Sequence, residues 1–322
     1  MKVLIARSLL TLALCAMASA ASAQAFPSKP IHLVVGFPPG GGTDIIARLI
    51  GAKLQEALSQ PVIIDNKPGA DTIIATEHVA KSPPDGYTLL VNGTSGMAIT
   101  PVMYPNKLAY DSVKDFAPIS MLGLFPMVLV VNPSVPAKSV QELIAYLTAN
   151  PGKLNYSSGT TGYIVAMEMF KQMTGTSINH IPFKGSAQAV NAVVSNTTEM
   201  TINDTLPIMQ LIKSGRLRAL GVTTTKRISI DPTIPTLAES GVPGYNMVLY
   251  IGLFAPAGTP ADIVSKLNAQ VMRIVQMMDT REKMAALGVE PVGSKAKELG
   301  DAVKADIAKF REVVKVGNIK PG

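Results

Sequence analysis

Residues 31–65 have the hydrophobic pattern of a strand, a helix and a second strand. Residues 31–35 form an apolar run that ends at a glycine-rich loop over residues 36–42, which is typical of a buried strand entering a turn. Apolar residues then recur at spacings of three and four over residues 46–58, which predicts a helix with one apolar face. The apolar run at residues 61–65 predicts a strand parallel to the first, because such crossovers are right-handed.

The same alternation continues to the end of the chain. The pattern predicts strands and helices in turn, which favours α/β domains of the doubly wound kind, with ligands bound at the carboxyl ends of the strands. The further predicted strands lie at residues 87–91, 127–131, 154–156 and 217–223. The further predicted helices lie at residues 139–147, after residue 162, at 260–275 and at 296–316.

The first 23 residues read as a secretory leader. They carry a charged start, a short apolar core and a small-residue site that ends at Ala23, and these are the parts of a signal peptide. Cleavage there leaves 299 of the 322 residues, enough for about two domains. Cys15 is the one cysteine, and Leu14 before it argues against a lipid anchor, so we expect a periplasmic protein without disulfides or thiol chemistry.

Charge and composition narrow the class of ligand. The formal net charge of +7 falls to +5 once Lys2 and Arg7 leave with the leader, and the remaining basic residues are scattered. A scattered excess of basic residues favours a small anionic ligand over nucleic acid, because proteins that bind nucleic acid usually have a clustered basic face. The three histidines, His32, His78 and His180, are not at metal-binding spacing, and we expect neither a metal nor a cofactor.

The first glycine-rich loop is a candidate anion site. It places three glycines and two good helix-start residues between a strand and a helix, where backbone N–H groups attract an anion. A bulky side chain at Gly41 is therefore expected to abolish ligand binding. The alternative is a plain turn with a helix cap. The candidate ligand-binding residues of this loop are Pro39, Gly40, Gly41, Gly42, Thr43 and Asp44.

The loop matches nucleotide motifs only in part. The dinucleotide fingerprint that begins at Gly40 needs glycine at its sixth position, where the chain has Ile45, although Asp65 stands where a ribose-binding acid is expected. An exported oxidoreductase that uses a nucleotide cofactor therefore stays an alternative. No phosphate-binding Gly-Lys-Ser or Gly-Lys-Thr triplet follows Gly42.

A second loop repeats the same arrangement of hydroxyls and glycines before a helix. Neither loop contains Lys or Arg, which favours a carboxylate held by backbone dipoles, and two such loops suggest one from each domain. An ordinary polar connection is the alternative for the second loop. Its candidate residues are Ser157, Ser158, Gly159, Thr160 and Thr161.

Three further polar residues are candidates for ligand contact. Thr94 and Ser95 resemble a nucleophile elbow, but Met97 stands where that motif needs glycine, so they are hydrogen-bond donors or part of a bare loop. Asp204 precedes a predicted helix and either orients a water or a ligand amine or caps that helix.

The chain resembles the tripartite tricarboxylate transporter substrate-binding proteins, which are Bug-type periplasmic solute receptors. The resemblance spans nearly the whole mature chain. In chain order it is carried by Pro27-Ser-Lys-Pro30, Val34 to Asp44, Pro61-Val62, Asp65-Asn-Lys-Pro-Gly-Ala70, Pro84-Asp-Gly-Tyr-Thr88, Tyr110-Asp111, Lys114-Asp-Phe-Ala-Pro118, Asn132-Pro133, Pro182-Phe-Lys-Gly-Ser186, Lys213-Ser-Gly-Arg-Leu-Arg-Ala219, Pro235-Thr236, Pro243-Gly-Tyr245 and Ala255-Pro-Ala-Gly-Thr-Pro260.

The resemblance implies a non-catalytic receptor with a two-lobe, type II-like periplasmic binding fold. Each lobe is expected to be a mostly parallel sheet flanked by helices, with residues 24–125 and 250–322 in lobe 1 and residues 126–249 in lobe 2. By the same resemblance, the receptor is expected to close on a carboxylate-bearing metabolite and to hand it to a membrane permease. The metabolite is a di- or tricarboxylate, an amino acid or an aromatic acid, and the receptor is expected to be a monomer. A ligand sensor for a membrane signalling protein is an alternative role.

The resemblance also assigns the ligand to the two loops and to Thr94, Ser95 and Asp204. The chain departs from the family pattern at two places. Asp71-Thr72 stands where the family often has two glycines, and the second loop is about two residues shorter, with Ile164 or Val165 near a position where histidine is common.

Overall fold

Two β-sheets organise residues 26–319, which are the residues that the computed structural model describes. The predicted leader over residues 1–23 lies outside them. The strands are β1 (Ile31–Val35), β2 (Val62–Asn66), β3 (Thr88–Gly93), β4 (Phe116–Phe125), β5 (Met127–Val131), β6 (Asn155–Ser158), β7 (Asn179–Pro182), β8 (Met200–Asp204), β9 (Arg218–Val222), β10 (Leu249–Pro256) and β11 (Glu290–Pro291).

Helices cover both sheets. They are α1 (Gly42–Leu58), α2 (Ile73–Ala80), α3 (Thr100–Met103), α4 (Val140–Ala149), α5 (Thr161–Thr174), α6 (Ser186–Val194), α7 (Thr205–Lys213), α8 (Ala261–Val275), α9 (Met278–Ala286) and α10 (Ala296–Val316). A 3-10 turn, Ala70–Thr72, precedes α2, and a π-helical turn, Ser95–Ile99, leads into α3. No helix among residues 26–319 combines the length and the apolar character needed to cross a lipid bilayer.

Strand direction confirms the prediction of two α/β lobes, in which most strands of each sheet run in one direction but the pairing is mixed. The first sheet has the order β11-β4-β10-β3-β1-β2, and β10 and β11 run opposite to its other strands. The second sheet has the order β7-β6-β8-β5-β9, and β5 is its reversed strand. Helical crossovers explain the parallel strands, since a parallel pair needs a long connection between its strands.

The chain passes between the sheets at two places. Pro126 alone separates β4 of the first sheet from β5 of the second, and the chain returns between Val222 and Leu249. The exact lobe boundaries at residues 125 and 250 stay a prediction.

Alternate residues of the strands in the first sheet point to opposite faces. Helices cover both of these faces. Leu33 of β1 lies in a core with Ile50 of α1 and Val271 of α8. Its neighbour Val34 lies in a different core, with Val79 of α2 and Leu299 of α10. Covered faces of this kind explain why the strands read as continuous apolar runs.

The last helix, α10, packs against both parts of the molecule. Leu299 and Val303 in its first half belong to a core of the first sheet, whereas Phe310 and Val313 belong to the core that contains β5. The Gln172 Nε2 atom of α5 also donates to the Val313 carbonyl oxygen at 2.9 Å. The assignment of residues 250–322 to lobe 1 stays a prediction, and α10 packs in cores of both sheets.

The role of α10 predicts a large stability effect at Phe310, which is fully buried. Phe310→Ala is expected to lower the free energy of unfolding by about 3–5 kcal/mol, because it leaves a cavity in the core of the second sheet. Val316→Ala on the same helix is the control, since Val316 is 58% exposed, and it should change the free energy little. Urea unfolding followed by circular dichroism measures both, and equal effects would contradict the assigned packing.

Candidate functional site

A cavity of about 490 Å³ lies between the elements of the two sheets. Its walls come from the ends of strands and the starts of helices, as expected for α/β folds. The lining residues are Phe37, Gly42, Thr43, Asp71, Thr72, Gly93, Thr94, Ser95, Ile99, Thr100, Met103, Tyr104, Phe125, Gly159, Thr160, Thr161, Gly162, Tyr163, Asp204, Leu249, Tyr250 and Ile251.

Three helix starts line this cavity, and none has a side-chain cap. Gly42 and Thr43 begin α1, Ser95 begins the π-helical turn, and Thr161 begins α5. Asp204 precedes α7 without its side chain capping that helix. The N–H groups of an uncapped first turn lack partners within the helix and carry a partial positive charge. The cavity therefore offers backbone donors to an anion.

Hydrogen bonds within the protein hold several of these segments in place. The Tyr250 N–H donates to Thr94 Oγ1 at 2.8 Å, which ties the crossing strand β10 to the end of β3. Asn92 donates from Nδ2 to Thr72 Oγ1 at 3.1 Å and to Thr76 Oγ1 at 2.9 Å. These bonds fix the cavity wall contributed by the first sheet.

Asp204 is the acidic group on the side of the second sheet. Tyr163 donates from its hydroxyl to Asp204 Oδ2 at 2.6 Å, while no residue of the described range donates to the buried Oδ1 atom. Burial raises the pKa of Asp204 to about 6, although the hydrogen bond from Tyr163 works in the opposite direction. Burial also raises the pKa of Tyr163 well above its usual value, so this hydroxyl keeps its proton.

Asp71 is the acidic group on the side of the first sheet. Its Oδ2 atom accepts from the Tyr104 hydroxyl at 3.0 Å, and its carbonyl oxygen accepts from Thr100 Oγ1 at 3.0 Å. Ala70, Asp71 and Thr72 all have positive φ angles, a conformation that is unusual outside glycine. Contacts from α3 and its C-cap thus hold Asp71 at the cavity wall.

Apolar side chains form a further part of the lining. Phe37, Phe125, Ile99, Met103 and Leu249 supply aromatic and aliphatic surface. Within residues 26–319, none of the residues that line the cavity is Lys, Arg or His. The same range contains no cluster of three His, Cys, Asp or Glu side chains able to hold a metal ion.

The structure divides the predicted site residues into two groups. One group lines the cavity and consists of Gly42, Thr43, Thr94, Ser95, Gly159, Thr160, Thr161 and Asp204. The other group lies outside the lining and consists of Pro39, Gly40, Gly41, Asp44, Ser157 and Ser158. The position at which a bulky side chain would enter the cavity is therefore Gly42 and not Gly41.

Asp44 lies outside the lining, and its side chain bonds within the protein. Its buried carboxylate accepts hydrogen bonds from Gly40 N at 2.9 Å, Arg48 Nε at 2.9 Å and Asn66 Nδ2 at 2.8 Å. Burial opposes ionisation, but the bonds from Arg48, Gly40 and Asn66 prevail and lower the pKa of Asp44. The Gly40 N–H is occupied by this bond, while Pro39 and Gly41 lie exposed outside the cavity.

Ser157 and Ser158 likewise bond inside the protein. Ser157 donates from Oγ to the Ala189 carbonyl oxygen at 2.7 Å, and Ser158 Oγ lies 2.6 Å from His180 Nε2. Both serines are buried in β6. The second loop therefore meets the cavity only from Gly159 onwards.

Several lining residues were not among those predicted from the sequence. Tyr104, Phe125, Tyr163 and Tyr250 are aromatic residues that line the cavity from different segments. Two sequence features lie next to lining residues that were not predicted. Asp71 and Thr72 are the place where the chain departs from the family pattern, and Tyr163 directly follows the second predicted loop.

Sequence and structure both relate the chain to known proteins. Residues 46–319 match the family profile described as "Tripartite tricarboxylate transporter family receptor". Protein BugT of Bordetella pertussis is 34% identical over 306 residues, covering 94% of this chain and 94% of that protein. Among solved structures, R. palustris Rpa4515 with adipate is 35% identical with a TM-score of 0.77, over 92% of this chain and 100% of that one. MatC (Rpa3494) from Rhodopseudomonas palustris with bound malate is 31% identical with a TM-score of 0.72, over 90% of this chain and 100% of that one.

The raised pKa of Asp204 predicts that Asp204→Asn stabilises the protein at neutral pH. The pKa of Asp204 is about 6 in the folded protein, whereas an aspartate in the unfolded chain has a pKa of about 3.9. The free energy of unfolding therefore falls as the pH rises between these two values. The asparagine variant should therefore be more stable by roughly 2 kcal/mol at pH 7.5, with little gain at pH 4. Urea unfolding at both pH values measures the difference.

Asp301→Asn is the control for this experiment, since Asp301 lies exposed on α10. If Asp204→Asn raises the free energy of unfolding by the same amount at both pH values, the result contradicts a raised pKa of Asp204.

Proposed function

The chain belongs to the tripartite tricarboxylate transporter receptor family, and we propose that its cavity captures a small carboxylate-bearing metabolite between the two lobes. Proteins of this family are periplasmic substrate-binding receptors and not enzymes, and they work with membrane transporter subunits. This membership disfavours the alternative of an oxidoreductase that uses a nucleotide.

The observation that carries the proposal is the set of uncapped helix starts around a cavity without lining cations. Each helix start favours a nearby negative charge by roughly 0.3–1 kcal/mol when exposed and by more when water is excluded. Gly42 and Thr43 offer such donors from the side of the first sheet, and Thr161 and Gly162 offer them from the side of the second. A carboxylate between them is held without a salt bridge.

The shape of the cavity sets the size of the ligand. Its volume of about 490 Å³ suits an organic acid, and its apolar wall suits the hydrocarbon part of that acid. A ligand of about ten non-hydrogen atoms reaches micromolar affinity, about −8 kcal/mol, at an ordinary ligand efficiency. Adipate and malate, which accompany two similar proteins, fall in this size class, as do amino acids and small aromatic acids.

Ligand capture is proposed to favour a closed arrangement of the lobes. A ligand shifts a conformational equilibrium only through contacts that differ between the two states. The donors at Gly42 and at Thr161 lie on different lobes, so a carboxylate that bonds to both is bound best when they are close together. We propose that a membrane permease recognises this closed form and that the receptor acts as a monomer.

Gly42→Leu is expected to weaken ligand binding strongly. A Cβ atom at Gly42 would lie 3.4 Å from Phe125 Cε1 at the cavity wall, so the leucine side chain occupies ligand space. The first step is a thermal-shift screen with adipate, malate, amino acids and benzoate, in which an acid at 100 times its Kd adds about 2.7 kcal/mol. Calorimetry with the best acid should then show at least about a 10-fold loss of affinity, or 1.4 kcal/mol.

Gly41→Leu is the matched control, because Gly41 lies outside the lining and a Cβ atom there would have the Pro38 carbonyl oxygen, at 3.5 Å, as its nearest neighbour. It should bind the acid as the unchanged protein does. Equal affinity in the Gly42 and Gly41 variants would exclude this cavity as the binding site. The absence of any stabilising acid in the screen would contradict the proposed function itself.

We further propose that the protein is exported and cleaved after Ala23. Periplasmic material should then begin at Gln24, and intact-mass spectrometry of the purified protein measures this. Ala23→Leu should block processing, because the cleavage site needs a small residue. Periplasmic protein that retains Met1 would contradict the assignment of the leader.

A further inference from the structure

We infer that Asp71 makes this cavity selective for an acid with a single carboxylate, whose other end carries a hydroxyl group that Asp71 binds. This inference rests on the proposed function and narrows the class of ligand. Asp71 and Asp204 are the charged side chains that line the cavity, and within residues 26–319 no lining Lys, Arg or His balances them. A second negative charge on the ligand is therefore not neutralised by any lining side chain.

The Asp71 carboxylate is accessible and has bonding capacity left. The residue is exposed and lines the cavity, and its Oδ2 atom accepts from the Tyr104 hydroxyl at 3.0 Å. Among residues 26–319, no donor bonds to its Oδ1 atom. A hydroxyl group on the ligand supplies such a donor, and a hydrogen bond to a charged acceptor is stronger than one between neutral groups.

The bonding partner of Asp71 does not neutralise its charge. Asp44, which lies outside the lining, pairs with Arg48, whose Nε atom is 2.9 Å from Asp44 Oδ2. The partner of Asp71 is a tyrosine, and burial together with Asp71 raises the pKa of Tyr104, so this hydroxyl stays a neutral donor. The negative charge of Asp71 therefore acts on any group placed beside it, and like charges repel more strongly where water is excluded.

The backbone at Asp71 shows that this position is held at a cost. Ala70, Asp71 and Thr72 have φ angles of 46°, 51° and 72°, in the left-handed region that favours glycine. Residues persist there when the surrounding structure holds them, and such residues cluster at ligand sites. Here Thr100 Oγ1 donates to the Asp71 carbonyl oxygen at 3.0 Å, and Asn92 Nδ2 donates to Thr72 Oγ1 at 3.1 Å. These bonds fix the turn at the cavity wall.

The same turn is the place where the sequence departs from the family pattern, which often has two glycines where this chain has Asp71 and Thr72. Glycine adopts positive φ angles without strain and brings no charge. A side chain that costs conformational energy and also brings a charge to the cavity wall is explained by a role in choosing the ligand. We therefore assign this selectivity to the turn of this particular chain.

The rest of the lining provides for the other parts of such a ligand. Uncapped helix starts at Gly42, Ser95 and Thr161 supply backbone donors for the single carboxylate. Asp71 and Tyr104 belong to other segments, the 3-10 turn and the C-cap of α3, and receive the hydroxyl group. The apolar part of the lining suits the hydrocarbon that joins these two polar ends.

The test compares acids that differ only at the end remote from their first carboxylate. Hexanoate, 6-hydroxyhexanoate and adipate share six carbons and end in methyl, hydroxymethyl and carboxylate. Benzoate, 4-hydroxybenzoate and terephthalate carry hydrogen, hydroxyl and carboxylate at the para position. Calorimetry on the full mature protein at neutral pH should give the hydroxyl member of the better-binding series the highest affinity, at least about 10-fold above that of the dicarboxylate.

Variants then assign the selectivity to Asp71. Asp71→Asn and Asp71→Gly remove its charge, and both new residues tolerate positive φ angles. Each should raise the affinity for the dicarboxylate at least about 10-fold, while the affinity for the unsubstituted acid changes little. A damaged fold does not produce a gain of affinity for one acid alone. Asp301→Asn is the control and should leave all three affinities unchanged, because Asp301 pairs with Lys297 on the surface of α10.

Each outcome decides between the two levels of the proposal. If the dicarboxylate binds as tightly as the hydroxyl member, or if the unsubstituted acid binds most tightly, the inference is overturned while carboxylate capture stands. The same holds if both Asp71 variants keep the full discrimination against the dicarboxylate, or if an acid of the wider screen binds but no member of the two series does. If no acid binds at all, the proposed function fails together with the inference.

Discussion

Unpaired backbone donors at helix starts are the constraint on which this molecule depends. The first N–H groups of a helix have no partner within it, and buried donors must be satisfied elsewhere. Strand ends and helix starts meet at one edge of each sheet because the strands of each lobe are mostly parallel. The structure brings three such starts to one cavity and caps none of them with a side chain. The cavity therefore attracts an anion through the fold itself.

The two aspartates at helix starts show how the protein separates stability from binding. Asp44 accepts three hydrogen bonds, and these hold the first glycine loop against α1 and β2. Asp204 accepts one, from Tyr163, in a place where burial disfavours its charge. A carboxylate that costs stability and faces a cavity is typical of a functional position. The same residue type thus stabilises the scaffold through three hydrogen bonds at Asp44 and carries a cost of burial beside the cavity at Asp204.

Local sequence patterns predicted part of the elements and part of the cavity, and strands β4, β8 and β10 were not predicted. Apolar runs and helical periodicity report burial directly, and the last helix has the predicted bounds, Ala296–Val316. The glycine loop was assigned to the ligand as a whole, but Gly40 bonds to Asp44 and only Gly42 and Thr43 reach the cavity. Tyr104, Phe125 and Tyr250 were missed because they come from distant segments that only the tertiary fold brings together.

The position of α10 has a mechanical consequence for the receptor. One end of this helix is embedded in the core beneath β10, and the other is embedded beneath β5. A single helix that is anchored at both ends cannot follow two bodies that rotate apart. A change in the angle between the lobes is therefore expected to slide or repack one end of α10, and the buried contacts at that end oppose the change.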